Sequence, residues 1–324
     1  HGWLLAQQIV HGEACYDTWV TDPRRFTGHA NVELTALKAI EDYQNEFRFH
    51  FPHEHRPAGR PMKTTPLTQV LAAEGAAFGV VNGWERIEYI KPTPDFHETH
   101  CFRFNETFDV IASEVAAVQN AVGLTEVSGF NRYEITGEDA HGFLDRMICG
   151  RVTRARGKVG LGYLLNHNGM LKAEATIANL PDGRIWYGSA AAAEYHDMDW
   201  LQMHLRDDED VQIRSLTNDH TILVLAGPKA RDVLSAASRG DWSAAAFPWL
   251  SVRETFVGLL RRLSCPSAFP ANWPMKSMCP MRSFTRPTWR CTRRARRTGC
   301  ACSDHARSNR CGWKKATCTG NPIS

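Results

Sequence analysis

Gly162-Tyr163-Leu164-Leu165-Asn166-His167-Asn168-Gly169-Met170-Leu171-Lys172-Ala173-Glu174-Ala175-Thr176-Ile177-Ala178-Asn179 is the stretch on which the fold class turns. Two runs, Leu161 to Leu165 and Met170 to Asn179, alternate in polarity on either side of Asn166-His167-Asn168-Gly169, where Asn-Gly supplies the positive φ angles of a tight turn. The stretch therefore reads as an antiparallel hairpin. Side chains alternate across a strand, so on the second strand Leu171, Ala173, Ala175 and Ile177 share one face while Lys172, Glu174 and Thr176 share the other. A carboxylate at mid-strand is either a general base or charge stabiliser beside a cavity, or a surface acid paired with Lys172. Glu126, in Gly123-Leu124-Thr125-Glu126-Val127-Ser128, carries the same two readings.

Outward from the hairpin, a helix is expected from about Thr107 to Val122 and a strand at Arg132 to Thr136. Gly137-Glu138-Asp139 then places acids at the start of a helix that carries Phe143, Leu144, Met147 and Ile148 and ends at Gly150. On the other side, Asp182-Gly183 turns into a strand at Arg184 to Tyr187, followed by an Ala-rich helix to about Leu205. Strands at Val211 to Leu216 and Thr221 to Ala226 lead to Gly227-Pro228, which opens a helix with Val233 and Leu234 inside. Antiparallel strands with helices between them make an α+β domain of mixed or antiparallel sheets, not a doubly wound one.

Upstream, Gly2 to Val10 reads as a helix ended at His11-Gly12. Asn31 caps a helix to about Asn45 with Leu34, Leu37 and Ile40 on one face. Thr65-Pro66 opens a short helix with Leu67, Val70 and Leu71 facing inward and Gly75 at its end. Between them His50, His53 and His55 form an H-x-x-H-x-H cluster. It is either a divalent-metal site or, with Pro52 interrupting it and Arg56 adjacent, a solvated connector.

The chain has 324 residues, 43% of them hydrophobic, which is enough for a sizeable core in two or three domains and excludes a disordered or fibrous chain. It contains no run of eighteen apolar residues, so neither a membrane span nor a signal peptide is expected and it reads as a soluble fragment. No G-x-G-x-x-G, G-x-x-x-x-G-K-S/T or H-E-x-x-H occurs, so no dinucleotide, phosphate or zincin fingerprint is on offer. The net charge of +3 conceals two unlike parts: residues 261–324 hold 14 Lys/Arg and one acid, Asp304, whereas residues 1–260 hold 24 bases and 34 acids. Seven of the ten cysteines also lie after residue 260, and three scattered thiols before it suggest a reducing compartment.

A basic, Cys-rich tail suggests a zinc module or a nucleic-acid arm. Yet it has no C-x-x-C pair, and Trp273, Phe284, Trp289 and Trp313 follow no structural period. Trp and Met have one codon each, which makes the reading frame testable. Reading Asn272 to Pro280 one base earlier restores acidic and alternating apolar residues. Residues 261–324 are therefore read as an out-of-frame tail, with the shift between about Gly258 and Cys265 and a disordered basic arm as the alternative.

Residues 1–95 resemble the end of the flavin domain and the linker of the sarcosine and dimethylglycine dehydrogenase family. The resemblance rests on H-G-E at His11 to Glu13, D-P-R-R-F at Asp22 to Phe26, A-G-R-P at Ala58 to Pro61 and G-W-E-R at Gly83 to Arg86. Residues from about 96 to 257 resemble the aminomethyltransferase domain of the glycine cleavage system, through G-L-T-E-V-S at Gly123 to Ser128, G-E-D-A at Gly137 to Ala140, L-N-x-x-G at Leu165 to Gly169 and A-G-P-K-A-R-D-V-L at Ala226 to Leu234. The shifted tail gives S-G-E-L-A-Y-E-I-H-V-P, similar to what that family shows at the same place.

The resemblance implies an aminomethyltransferase-like folate-binding fold preceded by a small linker domain. Its division is 1–25, the end of an upstream FAD-binding domain; 26–95, an oxidoreductase central or linker domain; 96–260, an incomplete folate-binding domain; and 261–324, the out-of-frame tail. It implies FAD in the upstream domain, which oxidises a small N-methyl amine to an iminium, and tetrahydrofolate, which captures the one-carbon unit as 5,10-methylenetetrahydrofolate. Folate capture needs a carboxylate near the attacking nitrogen, and the resemblance puts that role on Glu174. Ala173 and Glu174 stand where the family has two Asp. Glu126 falls at the Asp of the family's D-V-S motif, and Phe130 at an apolar residue that packs on the pterin. No nucleic acid or membrane partner is implied, and the expected location is the cytoplasm, or the mitochondrial matrix in a eukaryote. The alternative is a non-catalytic folate-binding or assembly module of the same fold.

Overall fold

In the computed structural model, the structure describes residues 1–26, 28–190 and 193–257, together with the backbone of strand residues 260–266, 275–280 and 315–316. The elements run α1 (Gly2–His11), α2 (Val32–Gln44), α3 (Thr68–Ala73), β1 (Ala76–Val81), β2 (Trp84–Ile90), α4 (Thr107–Asn120), β3 (Val122–Glu126), β4 (Asn131–Thr136), α5 (Ala140–Met147), β5 (Ile148–Cys149), β6 (Lys158–Leu165), β7 (Leu171–Asn179), β8 (Ile185–Ser189), α6 (Glu194–Met203), β9 (Gln212–Ser215), β10 (His220–Ala226), α7 (Ala230–Ala237), β11 (Arg253–Val257), β12 (Leu260–Pro266), β13 (Met275–Pro280) and β14 (Lys315–Ala316). The rest of the tail, including most of the stretch read as out of frame, lies outside the described residues.

One sheet has the order β5-β6-β7-β8-β4-β9, the other β11-β12-β13-β10-β3-β14, and β1 and β2 form a separate hairpin. Every strand pairing is antiparallel among the described residues. The main core lies on one face of the first sheet. Tyr133 and Ile135 of β4, Ala175 and Ile177 of β7 and Ile185 and Tyr187 of β8 pack there against Phe143 and Leu144 of α5 and Trp200 and Leu201 of α6. Burying a side chain such as Phe143 contributes roughly 1.5–3 kcal/mol. The opposite face is covered at one end, by Val159, Leu180, Trp186, Leu216 and Val252. Leu161 and Tyr163 leave it open towards the hairpin tip, being 59% and 40% exposed.

The hairpin forms as its pattern dictates, with a different turn. Only Gly169 takes a positive φ, of 75°. Asn166 organises the loop by accepting at Oδ1 from the Asn168 and Met170 N–H groups at 3.0 and 2.9 Å, an Asx turn. The two-residue turn with both φ angles positive occurs instead at Asn82-Gly83, φ 51° and 80°, between β1 and β2. That Asn-Gly lies between two apolar runs, the strongest short hairpin signal, and was the cue for a hairpin that the sequence reading missed.

Two helical faces need correction. Leu34 of α2 is buried, but Leu37 and Ile40 are 41% and 56% exposed, and Val70 of α3 is 40% exposed. Amphipathic spacing marks a face able to be buried; it does not supply a neighbour. The helix expected after Tyr187 begins only at Glu194, because β8 continues to Ser189. Asn31 caps α2 as expected, its side chain accepting from the Leu34 N–H at 2.8 Å.

Candidate functional site

The open face of the first sheet is where the chemistry collects. Residues facing away from the core follow from alternation and register. Leu161 on β6, Thr176 on β7, Gly188 on β8 and Arg132 on β4 form one row across the sheet. In the next row Tyr163 stands directly opposite Glu174. Continuing the register by one residue brings Phe130 into line with them, about 10 Å from Glu174, two strand spacings of roughly 4.8 Å. Glu174 and Phe130 thus share a face, Glu174 exposed and Phe130 39% exposed. In the adjoining row the sheet is bare at Gly188, where an added Cβ would meet only backbone, Asn131 O at 3.5 Å and Thr176 O at 3.8 Å. Gly188 and Arg132 were not picked out from the sequence; an isolated Gly inside a strand is the signal that could have flagged the first.

The wall beside Phe130 comes from β2. Arg86 places its guanidinium carbon 6.0 Å from the Phe130 ring centroid, and the Trp84 indole lies against Gly129, leaving 3.2 Å for an added Cβ. Lys63 lies 5.3 Å over the Trp84 ring. Burial pulls the pKa values of both Arg86 and Lys63 below their ordinary ranges, with Glu126 and Glu194 respectively opposing the shift.

Glu126 is placed differently from Glu174. It is buried at 6% exposure on β3, accepting from the Ser128 N–H at 2.7 Å and from the Thr65 hydroxyl at 3.2 Å. Burial raises its pKa, against the hydrogen bonds from Ser128 and Thr65 and the charge of Arg86. It ties the segment before α3 to the sheet and faces Leu223 of β10 in register. In the sequence cluster of histidines, His55 places Nε2 2.9 Å from Glu88 Oε1 and accepts at Nδ1 from the Val80 N–H at 3.3 Å; among the described residues no group of three or more His, Cys, Asp or Glu is placed to hold a metal ion.

A second polar feature lies at the hairpin tip, where a cleft of about 430 Å³ separates Glu13 to Arg24 from β7 and α6. His196 spans it, Nε2 to Asp17 Oδ2 and Nδ1 to Asp197 Oδ1, both at 2.7 Å. Arg24 bonds Asp199 from the same segment. Glu174 does not line this cleft.

Helices and antiparallel sheets in this arrangement define an α+β fold of the aminomethyltransferase type. The chain belongs to the GCVT N-terminal domain family, which it matches over residues 67–265, and residues 11–65 match the FAD dependent oxidoreductase central domain. It is 30% identical over 256 residues to rat mitochondrial dimethylglycine dehydrogenase, covering 78% of this chain and 30% of that protein. It is 28% identical over 284 residues to the formaldehyde-forming 4-methylaminobutanoate oxidase of Paenarthrobacter nicotinovorans, covering 82% and 34%. It is also 29% identical over 265 residues to the mouse mitochondrial pyruvate dehydrogenase phosphatase regulatory subunit, covering 79% and 30%. The chain therefore spans about a third of the length of these relatives. Glycine cleavage system aminomethyltransferase T from Bartonella henselae shares the fold, with a TM-score of 0.55 at 19% identity over 71% of this chain and 56% of that one. No helix among the described residues is long and apolar enough to cross a membrane.

Proposed function

We propose that this chain is the C-terminal part of an FAD-dependent demethylating dehydrogenase or oxidase of small N-methyl amines, of the sarcosine or dimethylglycine type, and that its open sheet face transfers the one-carbon unit to tetrahydrofolate. The observation that carries the reading is the row Tyr163, Glu174, Phe130 beside the bare backbone at Gly188 in the adjoining row. The residues present suit a flat heterocycle: Phe130 offers an aromatic surface, Gly188 leaves room, and Glu174 supplies a carboxylate on an accessible edge. Bound tetrahydrofolate supplies a nucleophilic nitrogen that captures the one-carbon unit. Glu174 holds positive charge as it develops and accepts the proton released, which is worth typically 10²–10⁴-fold in rate for a positioned base. Phe130, backed by Arg86, orients the ring. We assign 1–25 to the end of an upstream FAD-binding domain, 26–95 to the linker, 96–260 to the folate-binding domain and 261–324 to an out-of-frame tail. The family match stopping at residue 265 supports the last boundary, and the mitochondrial names of the mammalian relatives support a mitochondrial location in a eukaryote.

Calorimetric titration of the purified chain with 5-formyltetrahydrofolate tests the reading. Wild type binds, and Gly188→Val, which fills the space with a side chain suited to a strand, binds at least tenfold more weakly with an unchanged unfolding midpoint. Equal binding by both proteins, or none by wild type, refutes it. A second reading, a non-catalytic folate-binding or assembly module, is favoured by Ala173, which carries no acid beside Glu174, and by the relative named as a regulatory subunit. In a longer form carrying the flavin domain, unchanged folate-dependent turnover in Glu174→Gln selects that alternative.

A further inference from the structure

Arg132 is a charged side chain that the fold buries and does not fully use. It is 1% exposed. Nη2 donates to Ser128 O at 3.1 Å and to Thr217 O, while Nε and Nη1 are buried without a hydrogen-bond partner. Glu126, Glu194 and Asp219 are the carboxylates near enough for their charge to act on it. His220, the titratable group facing it from β10, is kept neutral by burial and by the Arg132 charge, with a pKa of about 4. Burial draws Arg132 itself down to about 10, so it remains a cation at neutral pH.

Packing alone does not account for such a group. A hydrophobic side chain of similar length fills the same volume without the cost of stripping water from a guanidinium, and replacing buried charges in this way is often neutral or stabilising. Buried N–H groups left unmatched add to that cost. The position of Arg132 suggests what the charge is kept for. It stands directly opposite Gly188, on the same sheet face as Glu174, and within 4 Å of a Cβ placed on Gly188 lie only two backbone oxygens.

We propose that Arg132 anchors an oxygen-binding subsite over Gly188, taking a carbonyl or carboxylate oxygen of the ligand that lies on the open face. The inference rests on the folate reading of that face. In a folate the oxygen comes from one of two sources, the ring carbonyl of the pterin or the carboxylates of the glutamyl tail. The guanidinium reaches it by leaning from Thr217 towards Gly188, and Nε and Nη1 gain the acceptor they lack.

The test compares wild-type chain with Arg132→Met and Arg132→Lys, by thermal unfolding and by calorimetric titration with 5-formyltetrahydrofolate, 6-methyltetrahydropterin and p-aminobenzoylglutamate. Arg132→Met is expected to unfold at the same or a higher temperature and to bind 5-formyltetrahydrofolate about thirtyfold more weakly, the worth of one charge-assisted hydrogen bond. Arg132→Lys recovers part of the loss. A parallel loss with 6-methyltetrahydropterin assigns the oxygen to the ring; a loss with p-aminobenzoylglutamate assigns it to the tail. Unchanged affinity in Arg132→Met overturns the inference alone, as does a lowered midpoint in both variants with affinity preserved in the folded protein, which makes Arg132 scaffold only. Failure of wild type to bind any of the three probes removes the folate reading first, and this inference with it.

Discussion

Replacing Asp17 by Asn removes one of the two charges that clamp His196 and leaves the shape of the contact intact. Burial alone would depress the imidazole; the hydrogen bonds to Asp17 and then Asp197 overcome it and raise its pKa to about 9. Asp17 is lowered to about 2, first by the hydrogen bond to His196. Lys172 from β7 opposes the imidazolium, and the Trp19 ring lies 5.4 Å from it. A rise from 6.5 to about 9 corresponds to at most about 3.4 kcal/mol at 1.36 kcal/mol for each pH unit. Asp197 supplies part of that, and the Asp17 side chain is 48% exposed, so solvent screening leaves roughly 1–1.5 kcal/mol for the Asp17 charge. The His196 pKa is raised on folding, so its stabilisation is complete below pH 6.5 and is lost as pH rises through about 9. The Asp17 pKa is lowered, so its share is present above 3.8 and lost as pH falls through about 2. Urea unfolding of the full chain should show Asp17→Asn weaker by that amount at pH 7, with the gap closing by about pH 10. An NMR titration should place His196 near 9 in wild type and lower in the variant. A gap that persists undiminished to pH 10, or a wild-type His196 titrating near 6.5, refutes the clamp.

Two further outcomes follow from local geometry. Asn31→Ala removes the cap on the Leu34 N–H and should cost about 1 kcal/mol in urea unfolding, whereas Leu37→Ala and Ile40→Ala, at exposed positions, should change stability by less than about 0.5 kcal/mol. Burial raises the Glu126 pKa, so the native state binds this proton more tightly than the unfolded chain does. Stability should therefore fall as pH rises above about 4.5, and Glu126→Gln should lose that slope; a slope unchanged in the variant places its origin elsewhere.

The hairpin, the α5 core face and the caps were legible because each depends on residues close in sequence. Alternation placed Ala175 and Ile177 inward and Glu174 outward, and a pattern of period two needs no partner to be read. Leu171 broke the pattern, 65% exposed, at the strand end where the register with β6 slips between Leu164 and Leu165. What failed to appear was set by pairings across the chain. Gly188 becomes a floor only because β7 and β4 flank β8. Arg132 becomes notable only through its burial, and His196 only because Asp17 reaches it from 179 residues away. Glu174 was legible as a face and not as an environment, since exposure depends on what covers the sheet.

Residues 13–90 are fastened to the rest of the chain at two separated points by different physics, and that difference decides how each responds to perturbation. At one end Thr65 donates to the buried Glu126, while Leu67, Leu71, Ile87 and Ile90 share a core with Leu223 of β10. That junction is held mainly by apolar burial, which salt does not screen. At the other end Asp17 and Arg24 reach His196 and Asp199 across a polar cleft, and charges this near the surface weaken as ionic strength rises. Salt and high pH should therefore release residues 13–24 while residues 65–90 stay docked. Hydrogen exchange at pH 10 and 1 M salt should show amides of 13–24 losing protection with those of β2 unchanged; loss of both together would mean that the two attachments form one cooperative unit.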